Sequence, residues 1–152
     1  MKFKIELIDL KKRYQDERKS LLRCFDKVLK NGSLVLTDEV RNFENNISKY
    51  TKARYCIGLN SGTDALMMAL WSLNIKKNDE VITSPLSFIA SVGAIAHLGA
   101  KPVFVDVKDD LNINEELIER AINKKTKAIM PVHWTGKMCN MEKIIKIAKK
   151  YN

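Results

Sequence analysis

Ser61, Gly62 and Thr63 lie in the stretch "LNSGTDALMMAL", Leu59 to Leu70, between the strand-like run "RYCIGL" and the helix-like run "ALMMALWSL". A turn from strand into helix exposes backbone N–H groups that have no intrahelical acceptor, at the positive end of the helix dipole. Gly62 lets a ligand approach the backbone, and the hydroxyls of Ser61 and Thr63 add donors, a combination suited to a phosphate. The same residues also read as a plain helix start, with Ser61, Thr63 or Asp64 as the cap. No Lys follows as in a P-loop, and the pattern is not G-x-G-x-x-G.

Three more residues fall on the same edge of the presumed sheet. Phe88 lies just past "DEVITSP", where Pro85 ends strand pairing; it offers either a face for a planar ring or a core contact. His133 and Trp134 follow the run "TKAIMPV", and His133 reads either as a base or as a structural imidazole. His97, inside "AIAHLGA", reads as an ordinary helix residue. Cys24, Cys56 and Cys139 are widely spaced with no C-x-x-C pair, which argues against a disulfide framework or a zinc site and for buried or inert thiols. No metal site is expected.

These groups need a scaffold, and the text supplies one. Residues 11–30 place Tyr14, Leu21, Leu22, Phe25, Val28 and Leu29 at helical spacing, with Asn31-Gly32 as the stop. "TDEVRNFENNISKYT" offers Thr37 or Asp38 as a cap and Val40, Phe43 and Ile47 as a stripe. Strand then alternates with helix: strands over 54–59, 79–85, 101–107 and 126–132, helices over 62–74, 88–98, 113–122 (capped by Asn114) and 141–151. Apolar strands without clean alternation, in repeated strand–helix–strand order, imply an α/β domain with a largely parallel sheet covered on both faces.

The 152 residues suffice for one domain with a real core; 45% hydrophobic and 30% charged residues exclude a disordered chain. No run approaches the roughly 18 apolar residues of a membrane span. The charge-broken opening "MKFKIELIDLKKRYQDERK" is not a secretory signal, so a cytoplasmic protein is expected. The net charge of +9 is spread over helix faces, so no nucleic-acid partner is expected, although a basic surface can steer a phosphorylated small molecule. The closing "MEKIIKIAKKYN" is a crossover helix that calls for a further strand, which reads as a fragment of a longer protein.

The blocks "LNSGTDALMMAL", "NDEVITSPLSFIASVGAIAHLGAKPVFVDV" and "INKKTKAIMPVHWTGKMCNMEKI" resemble consecutive blocks of the DegT/DnrJ/EryC1/StrS family of PLP-dependent sugar aminotransferases. "IDLKKRYQDERKSLLRCFDKVLKNG" and "EVRNFENNISKYT" are similar to that family's N-terminal helices. The resemblance runs through essentially the whole chain but covers only the opening portion of a family member. It implies a truncated large domain of the type I PLP-dependent transferase fold, three-layered with a mostly parallel sheet, preceded by N-terminal helices. Residues 1–52 would form the helical segment and 53–152 the α/β part.

By the same resemblance, Ser61, Gly62 and Thr63 would hold the 5′-phosphate of pyridoxal 5′-phosphate (PLP, or PMP in its amino form), and Phe88 would stack on its ring. Gly62→Val is expected to crowd that phosphate and strain the turn. The family's Schiff-base Lys and ring-nitrogen Asp match nothing in this chain, so no catalytic residue is assigned and the chain alone is expected to be inactive. The loop reading Gly-Pro-Glu-Val in many members is here "LTDEV", Leu36 to Val40, a departure that bears on substrate contacts. The implied activity is transfer of an amino group, from glutamate, to a nucleotide-linked keto-sugar for surface-polysaccharide or secondary-metabolite amino sugars, in a homodimer. A PMP-dependent sugar 3-dehydratase of the same family and a non-catalytic relic or binding module are the alternatives.

Overall fold

Helices and strands form in the order expected from the sequence, with one exception. The computed structural model describes residues 7–32 and 34–151, which divide into a first unit ending at Gly58 and a second beginning at Leu59. The first six residues, part of the stretch read as lacking a secretory signal, lie outside the described residues, as do Ser33 and Asn152.

The first unit holds α1 (Leu10–Asn31) and α2 (Asp38–Thr51). Asp9 caps α1 by accepting a hydrogen bond from the Lys12 N–H at 2.8 Å. Gly32 ends it in the left-handed conformation, φ +64°, donating to the Leu29 carbonyl, as Asn31-Gly32 predicts. Thr37 precedes α2 with extended backbone and no side-chain cap bond. No described residue of this unit is buried; Leu21, Leu22, Phe25 and Leu29 on α1 are all about half exposed. Cys24, expected to be buried or inert, is exposed; Cys56 is half-buried.

The strand expected over 54–59 does not form. A strand exists through its ladder, and among the described residues no other strand pairs with this run. Its hydrogen bonding is instead irregular: the Gly58 N–H donates to the Glu44 carboxylate at 2.7 Å.

The second unit runs α3 (Gly62–Ser72), β1 (Glu80–Thr83), α4 (Ile89–His97), β2 (Lys101–Phe104), α5 (Glu115–Ala121), β3 (Thr126–Met130) and α6 (Met141–Tyr151). The three strands are parallel in the order β2-β1-β3, with Ile82 level with Val103 and Ile129. Pro102, which has no N–H for a ladder, is accommodated because β2 is an edge strand among the described residues.

Successive side chains of β1 point to opposite faces, and each face has its own core. Val81 packs with Leu70 of α3 and Ala94 and Ile95 of α4. Ile82 packs with Ile118 of α5 and Ile144 and Ile147 of α6. Both are fully buried, which contributes about 1.5–3 kcal/mol each. The result is three layers, helices on both sides of a parallel sheet. It also has a directional consequence: β1 and β3 are neighbours, yet their following helices, α4 and α6, go to opposite faces. Beyond the carboxyl ends of two such strands a crevice opens, where α/β proteins bind ligands.

Candidate functional site

That crevice is present. A cleft of about 360 Å³ is lined by Gly62 and Thr63 at the start of α3, Ser87 and Phe88 after β1, and Val132 and Trp134 after β3. A second hollow, about 350 Å³, runs along β3 and α6 past Asn123, Lys124 and Tyr151 and contains none of the residues picked out by sequence. The first carries the chemistry.

At the start of α3, Ser61 has the extended backbone of a cap residue, and its Oγ accepts from the Asp64 N–H at 3.1 Å. The same hydroxyl donates to the Asp64 carboxylate at 3.0 Å. The capping role considered for this turn is therefore filled by Ser61. Among the described residues the N–H groups of Gly62 and Thr63 have no acceptor, and the Thr63 hydroxyl makes no hydrogen bond. Gly62 is the first residue of the helix and lies outside the positive-φ region. A Cβ built on it would meet nothing within 4 Å. The expected strain from a substitution at Gly62 is thus absent: helical φ suits any residue, and only a ligand would fill the space.

Phe88 is 70% exposed at the N-cap position of α4, which rules out a core role and leaves an open aromatic face on the cleft. Ser87 and Ser91 share a 2.7 Å hydrogen bond beneath it. Trp134 stands on the turn after β3. His133 is structural: its Nδ1 accepts from the Cys139 N–H at 3.2 Å, and it is not part of the cleft lining. The buried Cys139 thiol donates to the Val132 carbonyl at 3.2 Å. His97 is an exposed residue at the end of α4.

Two buried polar residues behind the cleft escaped the sequence reading. Asn112, 1% exposed, reaches the turn that carries Trp134. Glu115 at the start of α5 is buried against Lys108, whose Nζ donates to Oε1 at 3.0 Å and stands 2.7 Å from Oε2. Oε2 has the ion pair but no aligned hydrogen bond, so the Oε1 contact is the directional one. Asn140 adds a bond to Oε1 at 3.2 Å. Burial alone would raise the Glu115 carboxyl, but the hydrogen bonds from Lys108, its own backbone and Asn140 outweigh it and hold the group below the ordinary 4.5. Asp110 is held below 3.8, first by the Asn112 N–H and then by Lys137. The signal for Asn112 was a polar residue inside the otherwise apolar "LNI".

These features fit a phosphorylated planar ring: unsatisfied N–H groups and free space at Gly62 for the phosphate, and an exposed aromatic for the ring. Among the described residues no group of three or more His, Cys, Asp or Glu can hold a metal ion, and no helix is long and apolar enough to cross a membrane.

Comparison with known proteins places the chain among relatives. Residues 15–152 match the sequence profile of the DegT/DnrJ/EryC1/StrS aminotransferase family. The chain is 39% identical over 148 residues to a pleiotropic regulatory protein of Geobacillus stearothermophilus, covering 97% of this chain and 40% of that one. It is 38% identical over 138 residues to the dTDP-3-amino-3,4,6-trideoxy-alpha-D-glucose transaminase of Micromonospora megalomicea subsp. nigra, covering 90% and 37%. The crystal structure of NtdA from Bacillus subtilis with bound cofactor PMP superposes with a TM-score of 0.88 at 37% identity, covering 90% and 32%. The chain thus spans about two fifths of the length of the curated relatives it matches. With most of its residues within the family profile and its fold shared with a solved relative, this chain belongs to the DegT/DnrJ/EryC1/StrS aminotransferase family.

Proposed function

We propose that this chain supplies the phosphate-holding and ring-stacking side of a PLP site in an aminotransferase that acts on a nucleotide-linked keto-sugar. One observation carries the reading: the open N–H groups of Gly62 and Thr63 share one cleft with the exposed ring of Phe88. The sugar-nucleotide substrate is supported by the Micromonospora relative, a dTDP-sugar transaminase, and the cofactor by the PMP-bound Bacillus structure.

In this reading the amides of Gly62 and Thr63 and the Thr63 hydroxyl donate to the phosphate, whose charge the α3 dipole favours. The Ser61 hydroxyl, now turned to Asp64, is a further donor within reach of the same turn. Phe88 covers one face of the ring and keeps water off it. When bound, the cofactor supplies the electron sink for amino-group transfer. No residue of this chain is assigned a proton transfer. Residues 1–52 form the N-terminal helical segment and 53–152 the α/β part of the large domain; the working enzyme is a cytoplasmic homodimer that takes its amino group from glutamate.

The test is titration of inorganic phosphate and then PLP into the ¹⁵N-labelled protein. Saturable shifts of the Gly62 and Thr63 amides with both anions, and a shift at Phe88 with PLP alone, are expected. If neither anion moves those amides, the assignment fails.

A further inference from the structure

Trp134 sits on a turn closed by its own backbone hydrogen bonds, from the Gly136 N–H to the His133 carbonyl at 3.1 Å and from the Lys137 N–H to the Trp134 carbonyl at 3.3 Å, around a pair of left-handed residues. Thr135 and Gly136 both have positive φ, +58° and +83°. A β-branched residue in the left-handed region persists only where its surroundings hold it there. Support from outside the turn comes from the loop between β2 and α5, where Asp110 pairs with the Lys137 ammonium at 3.2 Å and Asn112 meets the turn at three points. The Asn112 Oδ1 shares the Trp134 N–H, at 3.2 Å, with the Val132 carbonyl at 2.9 Å, and its Nδ2 donates to the carbonyls of Lys137 at 3.2 Å and Met138 at 3.4 Å. The amide thus meets one turn with both its nitrogen and its oxygen, before and after the left-handed pair.

Asn112 is itself pinned. Its N–H donates to the Asp110 carboxylate at 3.1 Å, and its carbonyl accepts from the Lys108 N–H at 2.9 Å. Nothing else about its position asks for an amide: it is 1% exposed, lines no part of the cleft, and neighbours the apolar Ile113 of the core beneath the sheet. A buried amide is retained at such a site when all its partners are met, because each unmet one would be costly.

We propose that Asn112 is a positioning residue of the cleft: it clamps the 134–138 turn so that Trp134 stands as a second aromatic wall alongside Phe88. The ligand arm of this proposal rests on the PLP reading above; the clamp itself does not. Asn112 touches no ligand and acts through Trp134 alone.

The chain has two tryptophans, so Trp71→Phe, at a 65% exposed position on α3, leaves Trp134 as the sole fluorophore. In that background Asn112→Ala is expected to red-shift Trp134 emission and raise its acrylamide quenching about twofold, while the protein stays folded by circular dichroism. Asn112→Ser, which buries no charge and is too short to span the turn, guards against a variant that fails to fold and shows the same shift. PLP dissociation constants, measured with Trp71 and Trp134 both native, rise about tenfold in Asn112→Ala, the worth of one oriented, buried interaction. In a Trp134→Ala background the same substitution changes the constant less than twofold, since the two residues act as a unit. Unchanged Trp134 fluorescence in both folded variants overturns the proposal, as does an equal drop in PLP affinity with and without Trp134. Should the parent bind no PLP, the cofactor reading falls and the fluorescence arm alone decides for or against the clamp.

Discussion

Replacing Gly62 with Ala separates the ligand's interest in this position from the protein's. Gly62 is the first residue of α3, outside the positive-φ region, and an added Cβ meets no atom within 4 Å. The folded chain therefore has no objection to the methyl. The unfolded chain loses backbone freedom, so the substitution stabilises by about 0.4–1 kcal/mol, or about 1–4 °C in Tm for a chain of this size. A bound phosphate reverses the sign. An anion oxygen about 2.9 Å from the Gly62 or Thr63 nitrogen comes within van der Waals reach of that Cβ. Displacing it forfeits one charge-assisted bond of about 1.5–3 kcal/mol, a tenfold to hundredfold loss of affinity. Differential scanning fluorimetry without ligand and calorimetric titration of PLP, on the same variant, read the two effects independently. A Gly62→Ala protein that melts several degrees lower would refute the open geometry at α3. One that binds PLP like the parent would refute the phosphate cradle.

Other perturbations test the neighbouring claims. Phe88→Ala, at a side chain 70% exposed, is expected to leave stability within about 0.5 kcal/mol and to weaken PLP binding about fivefold to tenfold, the worth of an aromatic stack; titration beside thermal melting checks both. Glu115 has its folded pKa depressed, so its ion pair stabilises the fold above pH 4.5 and that contribution drains away as pH falls through the lowered value. Tm measured from pH 7 to pH 3 should therefore fall less steeply in Glu115→Gln than in the parent, from a lower starting point. Ile82→Ala removes a fully buried side chain from the α5/α6 face and should cost about 2–5 kcal/mol in chemical denaturation.

Local features proved readable and pairing did not. Asn31-Gly32 ends α1 through a left-handed glycine, and Asn114 caps α5 by accepting from the Glu116 N–H at 3.1 Å, because both devices act within a few residues. The apolar runs at 79–85, 101–107 and 126–132 became strands because they have one another as partners. The run at 54–59 also carries strand-forming residues but has no partner among the described residues, so composition misled. For the site, a helix start and an aromatic past a strand end were visible, and the structure brings Gly62, Thr63, Phe88 and Trp134 to one cleft. Asn112 and the Lys108–Glu115 pair were hidden because burial of a polar side chain depends on distant segments: Asn112 meets its partners 22 to 26 residues away.

The exposed stripe on α1 bears on how the molecule breathes. The first unit has no buried residue among those described, so its helices draw little on the packing that makes the strands of the second unit persistent. A helix without tertiary support opens by fraying, at a small fraction of the global unfolding free energy. Amides of residues 10–31 should then exchange with deuterium within seconds to minutes, while those of Val81 and Ile82, at the centre of the sheet, wait for global unfolding. One chain would thus carry two clocks, and whatever covers that stripe in a longer protein or an assembly would be seen first as the slowing of the faster one.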